Sequence, residues 1–149
     1  MAFTIKNCGS KVPKDIKFEK EDLNILDRYK DNLSKIREKI NNQDINFYIE
    51  FIVNSLFEAN KYFNDQEPWN KKSDKKRLNT ILYVSLELIR KISILLYPVI
   101  PDSSLKALEI FNIKESMINF ETIKNHNYLK SNIEIKKINI LFNKINNND

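Results

Sequence analysis

Residues 59–69 read ANKYFNDQEPW, and they close a strong helical pattern with the only tryptophan of the chain. Proline disfavours the helical conformation in the residue before it, so the pattern predicts that the helix ends near Glu67 and that Glu67 is extended. Trp69 then lies on a rigid turn. An indole held there either caps an apolar core or offers a flat face to a partner such as an unpaired base.

Apolar residues recur at helical spacing on both sides of this turn, as in helices that bury one face. Four helices are predicted, at about Asp22 to Asn41, from Asp44 to the proline at 68, from Ser73 or Asp74 to Tyr97, and from Pro101 to about Phe111. Asp22 and Asp44 are the predicted N-caps, and the third helix is expected to be the most buried. These lengths predict an all-α, antiparallel bundle of about four to five helices with an irregular C-terminal tail.

A single domain is expected over residues 1–149, with a helical core over residues 19–112. Residues 1–18 are predicted to be the end of a truncated first helix and a loop, because Gly9 can take the left-handed conformation that closes a helix. Residues 113–149 are predicted to be a C-terminal extension. Within it, residues 133–142 alternate in places, which suits either an extended strand-like tail or a fifth short helix.

The composition excludes several classes of protein. Hydrophobic residues make up 42% of the chain, which suits a globular domain better than a disordered one. The single glycine argues against an all-β fold, which needs frequent turn residues. Cys8 is the only cysteine, so cysteines form neither a disulfide within the chain nor a zinc cluster. Because we find neither a signal-peptide pattern nor a membrane-length apolar run, we expect a cytoplasmic protein.

No group of residues has the pattern of a catalytic or metal site. His126, the only histidine, lies in a polar segment and is expected to be a solvated loop residue. Ser103 and Ser104 lack the glycine-rich turn of a nucleophile and are explained by helix capping. We therefore predict no catalytic residue, no metal and no cofactor in this chain.

The basic run that follows the tryptophan fits an RNA-binding site. An exposed aromatic ring beside cationic side chains can stack a base and hold its phosphate. The candidate phosphate contacts are Lys71, Lys72, Lys75, Lys76 and Arg77. A net charge of +5 permits a polyanionic partner without requiring one. The alternative interpretation is a packed tryptophan followed by a solvated lysine-rich loop.

The stretch at residues 59–69 closely resembles the AN(K/R)Y…PW signature of methionyl-tRNA synthetases. In that family the signature ends the second long helix of the C-terminal anticodon-binding domain. Residues 77–83 and 95–101 are similar to the family's next helix and its closing turn. The match also includes 6–13, similar to the loop after the first helix, and 138–145, similar to a terminal segment whose prolines and arginine are replaced here.

The resemblance implies a helix bundle that binds the anticodon loop of methionine-accepting tRNA, with neither a membrane nor DNA as a partner. It implies that Trp69 stacks on the first anticodon base, a cytosine, and that Pro68 shapes the turn. Asn60 and Tyr62 match the signature as well, and they are expected to support the site structurally.

Two parts of the family pattern are absent from the chain. The nucleotide-binding motifs are missing, so ATP and methionine are expected to bind a missing catalytic domain. That catalytic domain is the second expected partner of this chain, beside the tRNA. The asparagine and the arginine with which the family reads the anticodon would precede Ala2. The resemblance therefore implies a fragment of an ATP-dependent methionine–tRNA ligase, without catalysis of its own.

Other functions fit the same residues. A helical protein–protein interaction module would use Trp69 as an interface anchor. A stand-alone tRNA-binding protein would keep the anticodon contact without a ligase. In a further alternative, Trp69 is buried in the core of the bundle.

Overall fold

The structure, a computed structural model, describes residues 2–136, and most of these residues lie in helices. The α-helices are α1 (Ala2–Asn7), α2 (Lys20–Asn41), α3 (Ile45–Gln66), α4 (Lys75–Leu96), α5 (Pro101–Glu109) and α6 (Phe120–Ile123). Two 3-10 helices, Pro68–Asn70 and Glu115–Met117, lie in the connections. The predicted all-α fold is confirmed.

Acidic residues begin the three long helices. Asp44 caps α3 and Asp74 caps α4, each accepting a hydrogen bond from the backbone N–H three residues on, at 3.1 and 2.9 Å. The prediction that Asp22 is the N-cap of α2 is wrong. Glu19 takes the cap position instead, and its backbone N–H donates to the Asp22 carboxylate at 2.8 Å, as in a capping box.

The truncated helix predicted within residues 1–18 and the helix predicted from Pro101 also lie near their expected places. α1 ends at Asn7 and is followed by Gly9, whose φ of 61° is the left-handed conformation that the sequence predicts. α5 begins at Pro101, in the first helical turn, where a missing backbone N–H costs nothing.

The helix α4 lies at the centre of the bundle. It packs against α1, α2, α3, α5 and α6, and most of its residues are buried, which confirms the prediction for this helix. Burial of apolar surface contributes roughly 25 cal/mol per Å², so the contacts of α4 are the main stabilising term.

Among the helices of residues 2–136, none has both the length and the apolar character that crossing a membrane requires.

The segment 113–136 is mostly irregular, yet it completes the core. Ile113, Ile123, Leu129 and Ile135 are buried. Within residues 2–136 there is no strand, and an isolated antiparallel bridge joins position 11 to position 134. Residues 133–136 form no helix; the isolated bridge at Glu134 fits the extended strand-like tail considered for residues 133–142 more closely than the short helix. Residues 137–142 lie outside the described part, as does the whole of segment 138–145.

Three charged side chains of α4 lie inside the bundle. Glu87, Arg90 and Lys91 are fully buried. The Arg90 Nε donates to Glu87 at 2.7 Å, and Arg90 and Lys91 both donate to backbone oxygens within residues 122–125. Glu87 also accepts a hydrogen bond from the backbone N–H of Leu129 at 2.7 Å. These bonds fasten residues 122–129 to α4.

His126 belongs to the same cluster; it lies in a loop as predicted, but the prediction that its side chain is solvated is wrong. Its Nε2 lies 2.9 Å from the Asp27 carboxylate on α2, and its Nδ1 lies 3.5 Å from the Lys91 Nζ. The histidine therefore links α2 to the segment that α4 holds.

Burial, reinforced by the charge of Arg90, lowers the pKa of Lys91 to about 7.

We expect Glu87→Ala to lower the free energy of unfolding by about 3 kcal/mol, because it leaves the buried Arg90 charge without its partner. Urea unfolding followed by circular dichroism measures this change. Glu109→Ala is the matched control, since Glu109 is exposed on α5. An equal urea midpoint for the two variants would contradict a stabilising role for the buried pair.

Candidate nucleic-acid interface

The turn after α3 holds Pro68 inside the fold and Trp69 at its surface. α3 ends at Gln66, which confirms the predicted end near Glu67. Glu67 is left-handed, with φ 44° and ψ 57°, and not extended as predicted. The left-handed conformation reverses the chain at the helix end, and the Glu67 N–H bonds back to Asn64 at 3.2 Å. Pro68–Asn70 then forms a 3-10 helix, with Pro68 buried.

A row of three aromatic rings holds the indole of Trp69. The ring centroids of Trp69 and Phe63 are 6.2 Å apart, and those of Phe63 and Phe3 are 5.9 Å apart, with edge-to-face geometry in both pairs. Trp69 nevertheless remains 42% exposed. The alternative in which the indole is sealed in the core is therefore excluded.

A buried carboxylate joins α2, α3 and α4 near this turn. The Tyr62 hydroxyl donates to Asp22 at 2.5 Å, and the Arg77 guanidinium donates to both Asp22 oxygens at 2.6 and 3.0 Å. Asp22 itself is fully buried. Arg77 also donates to Gln66 at the end of α3, and its Nε lies 3.5 Å from the Glu19 carboxylate. Both ends of the α3–α4 connection are thus fixed to α2.

Hydrogen bonds keep the Asp22 carboxylate ionised. Burial on its own raises the pKa of Asp22, but hydrogen bonds from Arg77, from the Glu19 backbone and from Tyr62 outweigh burial and hold that pKa below its ordinary value. Burial and the adjacent Asp22 raise the pKa of Tyr62, so the phenol stays protonated and continues to donate.

The predicted basic run divides into two kinds of residue. Its lysines are exposed and form no ion pair within residues 2–136; they are Lys71, Lys72, Lys75 and Lys76. The Arg77 side chain, by contrast, is only 10% exposed and is held by Asp22. Its geometry therefore does not suit the predicted phosphate contact and suits a role in fixing the turn.

The two predicted supporting residues have different surroundings. Tyr62 is buried and donates to Asp22, so it holds the helix ends together. Asn60 is exposed, and it lines a groove of about 120 Å³ with Thr4 and Phe63. Its supporting role stays a prediction.

Apart from Tyr62, which was predicted to support the site, sequence reasoning missed the groups that hold the turn. A usable signal is that Tyr62 and Gln66 are four residues apart and therefore share one face of α3, from which both bond into the Asp22 network. Arg77 lies three residues after the Asp74 cap and directly after Lys76, so the sequence does not distinguish it from the lysines of the basic run. We find no sequence signal for the contact between Phe3 and Phe63, because these residues are 60 positions apart.

Comparison with known proteins gives one consistent result. Residues 12–149 match the model of the anticodon binding domain of methionyl tRNA ligase. The methionine–tRNA ligase of Brucella suis biovar 1 (strain 1330) is 36% identical over 114 residues, which cover 76% of this chain and 22% of that protein. The methionine–tRNA ligase of Mycobacterium leprae (strain TN) is 31% identical over 128 residues, covering 83% and 24%. The chain thus spans less than a quarter of the length of these relatives.

Solved structures agree with the sequence relatives. The free-state methionyl-tRNA synthetase of Mycobacterium tuberculosis superposes with a TM-score of 0.86 and 26% identity, over 97% of this chain and 30% of that chain. The same enzyme in complex with methionyl-adenylate gives a TM-score of 0.86 over 96% of this chain and 29% of that one.

We expect Asp22→Asn to lower the free energy of unfolding by about 3 kcal/mol at pH 7, because it removes the charge that pairs with Arg77. The pKa of Asp22 is lowered in the fold, so its contribution is complete above the unfolded value of about 3.9 and is lost as the pH falls through the folded value. Urea unfolding at pH 3, 5 and 7 measures both effects.

The difference in the free energy of unfolding between the wild type and Asp22→Asn should therefore become smaller as the pH falls toward 3. Asp31→Asn is the matched control, since Asp31 is an exposed acid on the same helix. A difference that stays constant from pH 7 to pH 3 would rule out the linkage.

Proposed function

The chain belongs to the family of anticodon-binding domains of methionyl-tRNA ligases, and from that membership we propose that it binds the anticodon loop of methionine-accepting tRNA. One observation carries the proposal. The indole of Trp69 is fixed on a turn, partly exposed, and followed at once by exposed lysines.

Stacking on the indole supplies the contact with a base. The bases of a tRNA loop are unpaired, so both their faces and their edges are open to a protein. Stacking on an aromatic side chain contributes about 1–3 kcal/mol per base. Because Pro68 is buried and Phe63 supports the ring, little freedom of Trp69 is lost when a base binds. The base proposed for this position is the first anticodon base, a cytosine.

The four exposed lysines supply contacts with phosphates. Each lysine that neutralises a phosphate releases a counterion, so the affinity for RNA is expected to fall as the salt concentration rises. Arg77 is left out of this group, because Asp22 already neutralises its charge. Its part in the function is to hold the start of α4, and with it Lys75 and Lys76, beside the turn.

We further propose that the domain serves a cytoplasmic, ATP-dependent methionine–tRNA ligase. In that protein ATP and methionine bind a separate catalytic domain, and this domain positions the tRNA so that its 3′ end reaches the active site. The names of the curated relatives and the methionyl-adenylate held by one matched structure support this assignment.

We expect Trp69→Ala to weaken binding to an anticodon stem-loop that begins with cytosine by about tenfold, through the loss of stacking. Fluorescence anisotropy with labelled RNA measures the affinity, and circular dichroism verifies the fold. Trp69→Phe should retain part of the affinity because it keeps a ring at that position.

Phe57→Ala is the matched control, because Phe57 is an aromatic residue on α3 with 68% exposure. It should bind the RNA as the wild type does. A folded Trp69→Ala variant with unchanged RNA affinity would refute the stacking site and favour a protein–protein interaction module.

A further inference from the structure

The loop before α2 is fastened to the first turns of α4. The Asn79 side-chain amide donates to the backbone oxygen of Lys14 at 3.2 Å. The backbone N–H of Lys17 donates to the Thr80 hydroxyl at 3.0 Å, and that hydroxyl donates to the backbone oxygen of Lys76 at 3.1 Å. Thr80 is buried, so one hydroxyl joins the backbones of two lysines from distant parts of the sequence.

The rest of the loop is held as firmly. Val12 is buried, its backbone N–H donates to Ile133 at 2.8 Å, and its backbone oxygen accepts from Asn132 at 2.8 Å. Pro13, the next residue, is also buried. The path of the backbone toward Lys14 is therefore set by bonds that do not involve the lysine side chains.

Helical spacing places two lysines of α4 beside this loop. Residues four positions apart lie on the same face of a helix. Lys75 therefore shares a face with Asn79, and Lys76 shares a face with Thr80, each lysine being about one turn nearer the start of α4. The hydrogen bonds of Asn79 and Thr80 therefore place the backbones of Lys14 and Lys17 beside the first two turns of α4, which carry Lys75 and Lys76. All four lysines are exposed.

Nearby acidic groups neutralise little of this charge. Asp74 caps α4 through the backbone N–H of Arg77, and Glu19 faces the Arg77 guanidinium at 3.5 Å. Asp15 lies between the two loop lysines in sequence and is exposed. None of these acids forms an ion pair with a lysine within the described residues 2–136. The surface therefore keeps a net positive charge.

We propose that Lys14, Lys17, Lys75 and Lys76 form a phosphate-binding surface for the double-stranded stem of the RNA whose loop binds at Trp69. The proposal rests on the proposed function and adds two residues, Lys14 and Lys17, outside the basic run. We refer to these four side chains as the loop–helix lysine surface.

The position of this surface favours a stem over the loop itself. Lys75 and Lys76 lie beside the Trp69 turn, whereas Lys14 and Lys17 are bonded to Asn79 and Thr80; Thr80 lies about 7 Å farther along the axis of α4 than Lys75, at 1.5 Å per residue. The surface therefore extends away from the turn. The described groups of this surface include no aromatic ring for stacking, and lysine recognises a phosphate as a point charge. Duplex RNA is held in this way, through its phosphates and without base readout.

The test uses the double variant Lys14→Ala/Lys17→Ala of the full chain and two RNAs, the anticodon stem-loop and the same loop as an unpaired oligonucleotide. The variant should bind the stem-loop about tenfold more weakly than the wild type and should bind the unpaired loop within twofold of it. The slope of log affinity against log salt for the stem-loop should fall by about 1.5, since each lost phosphate contact removes about 0.7–0.9. Lys14→Arg/Lys17→Arg should restore binding.

Lys106→Ala/Lys114→Ala is the matched control, because it removes two exposed lysines from α5 and from the connection after it. Equal losses in the two double variants would overturn the proposal, and so would equal losses on both RNAs. Trp69→Ala tests the stacking site separately, since it should weaken binding to both RNAs. If Trp69→Ala has no effect, the stacking site fails, while the comparison of stem-loop with unpaired loop still decides the role of Lys14 and Lys17.

Discussion

The ion pair between Asp22 and Arg77 fixes the three long helices where they meet the Trp69 turn. A buried carboxylate is costly unless its oxygens are paired, and here the guanidinium, the Tyr62 hydroxyl and the Glu19 backbone N–H satisfy them. Each helix contributes at least one member of this network close to its end. The network therefore orients the turn, and the apolar core around α4 supplies most of the stability.

The separation of roles within one basic run follows from this constraint. Four lysines lie within the six positions before Arg77, but its planar, multidentate guanidinium suits a buried carboxylate better than an ammonium group does. The exposed lysines keep the flexible, hydrated charges that suit contact with an RNA backbone. One sequence run thus supplies a structural ion pair and the exposed lysines of the proposed phosphate contacts.

The sequence predicts local features of this fold well and long-range ones poorly. The ends of α3 and α4, the caps at Asp44 and Asp74 and the turn at Pro68 depend on nearby residues, so they can be predicted. The pairing of Asp22 with Arg77 spans 55 positions, and that of His126 with Asp27 spans 99. Neither has a local pattern, which is why Asp22 was expected to be a cap and His126 a solvated residue. Glu67 is left-handed because the helix end outweighs the preference that proline imposes.

The bonds that hold Lys14 and Lys17 against α4 also bear on the order in which the chain folds. Short connections join α2 to α3 and α3 to α4, so the contacts between these neighbouring helices close smaller loops than the bond between Lys17 and Thr80, which closes one of 63 residues. We therefore expect the helical hairpins to form first and the lysine-bearing loop to dock late. Hydrogen exchange provides a check: the amides of Val12 and Lys17 should exchange before those in the middle of α4, and equal protection would show a single cooperative unit instead.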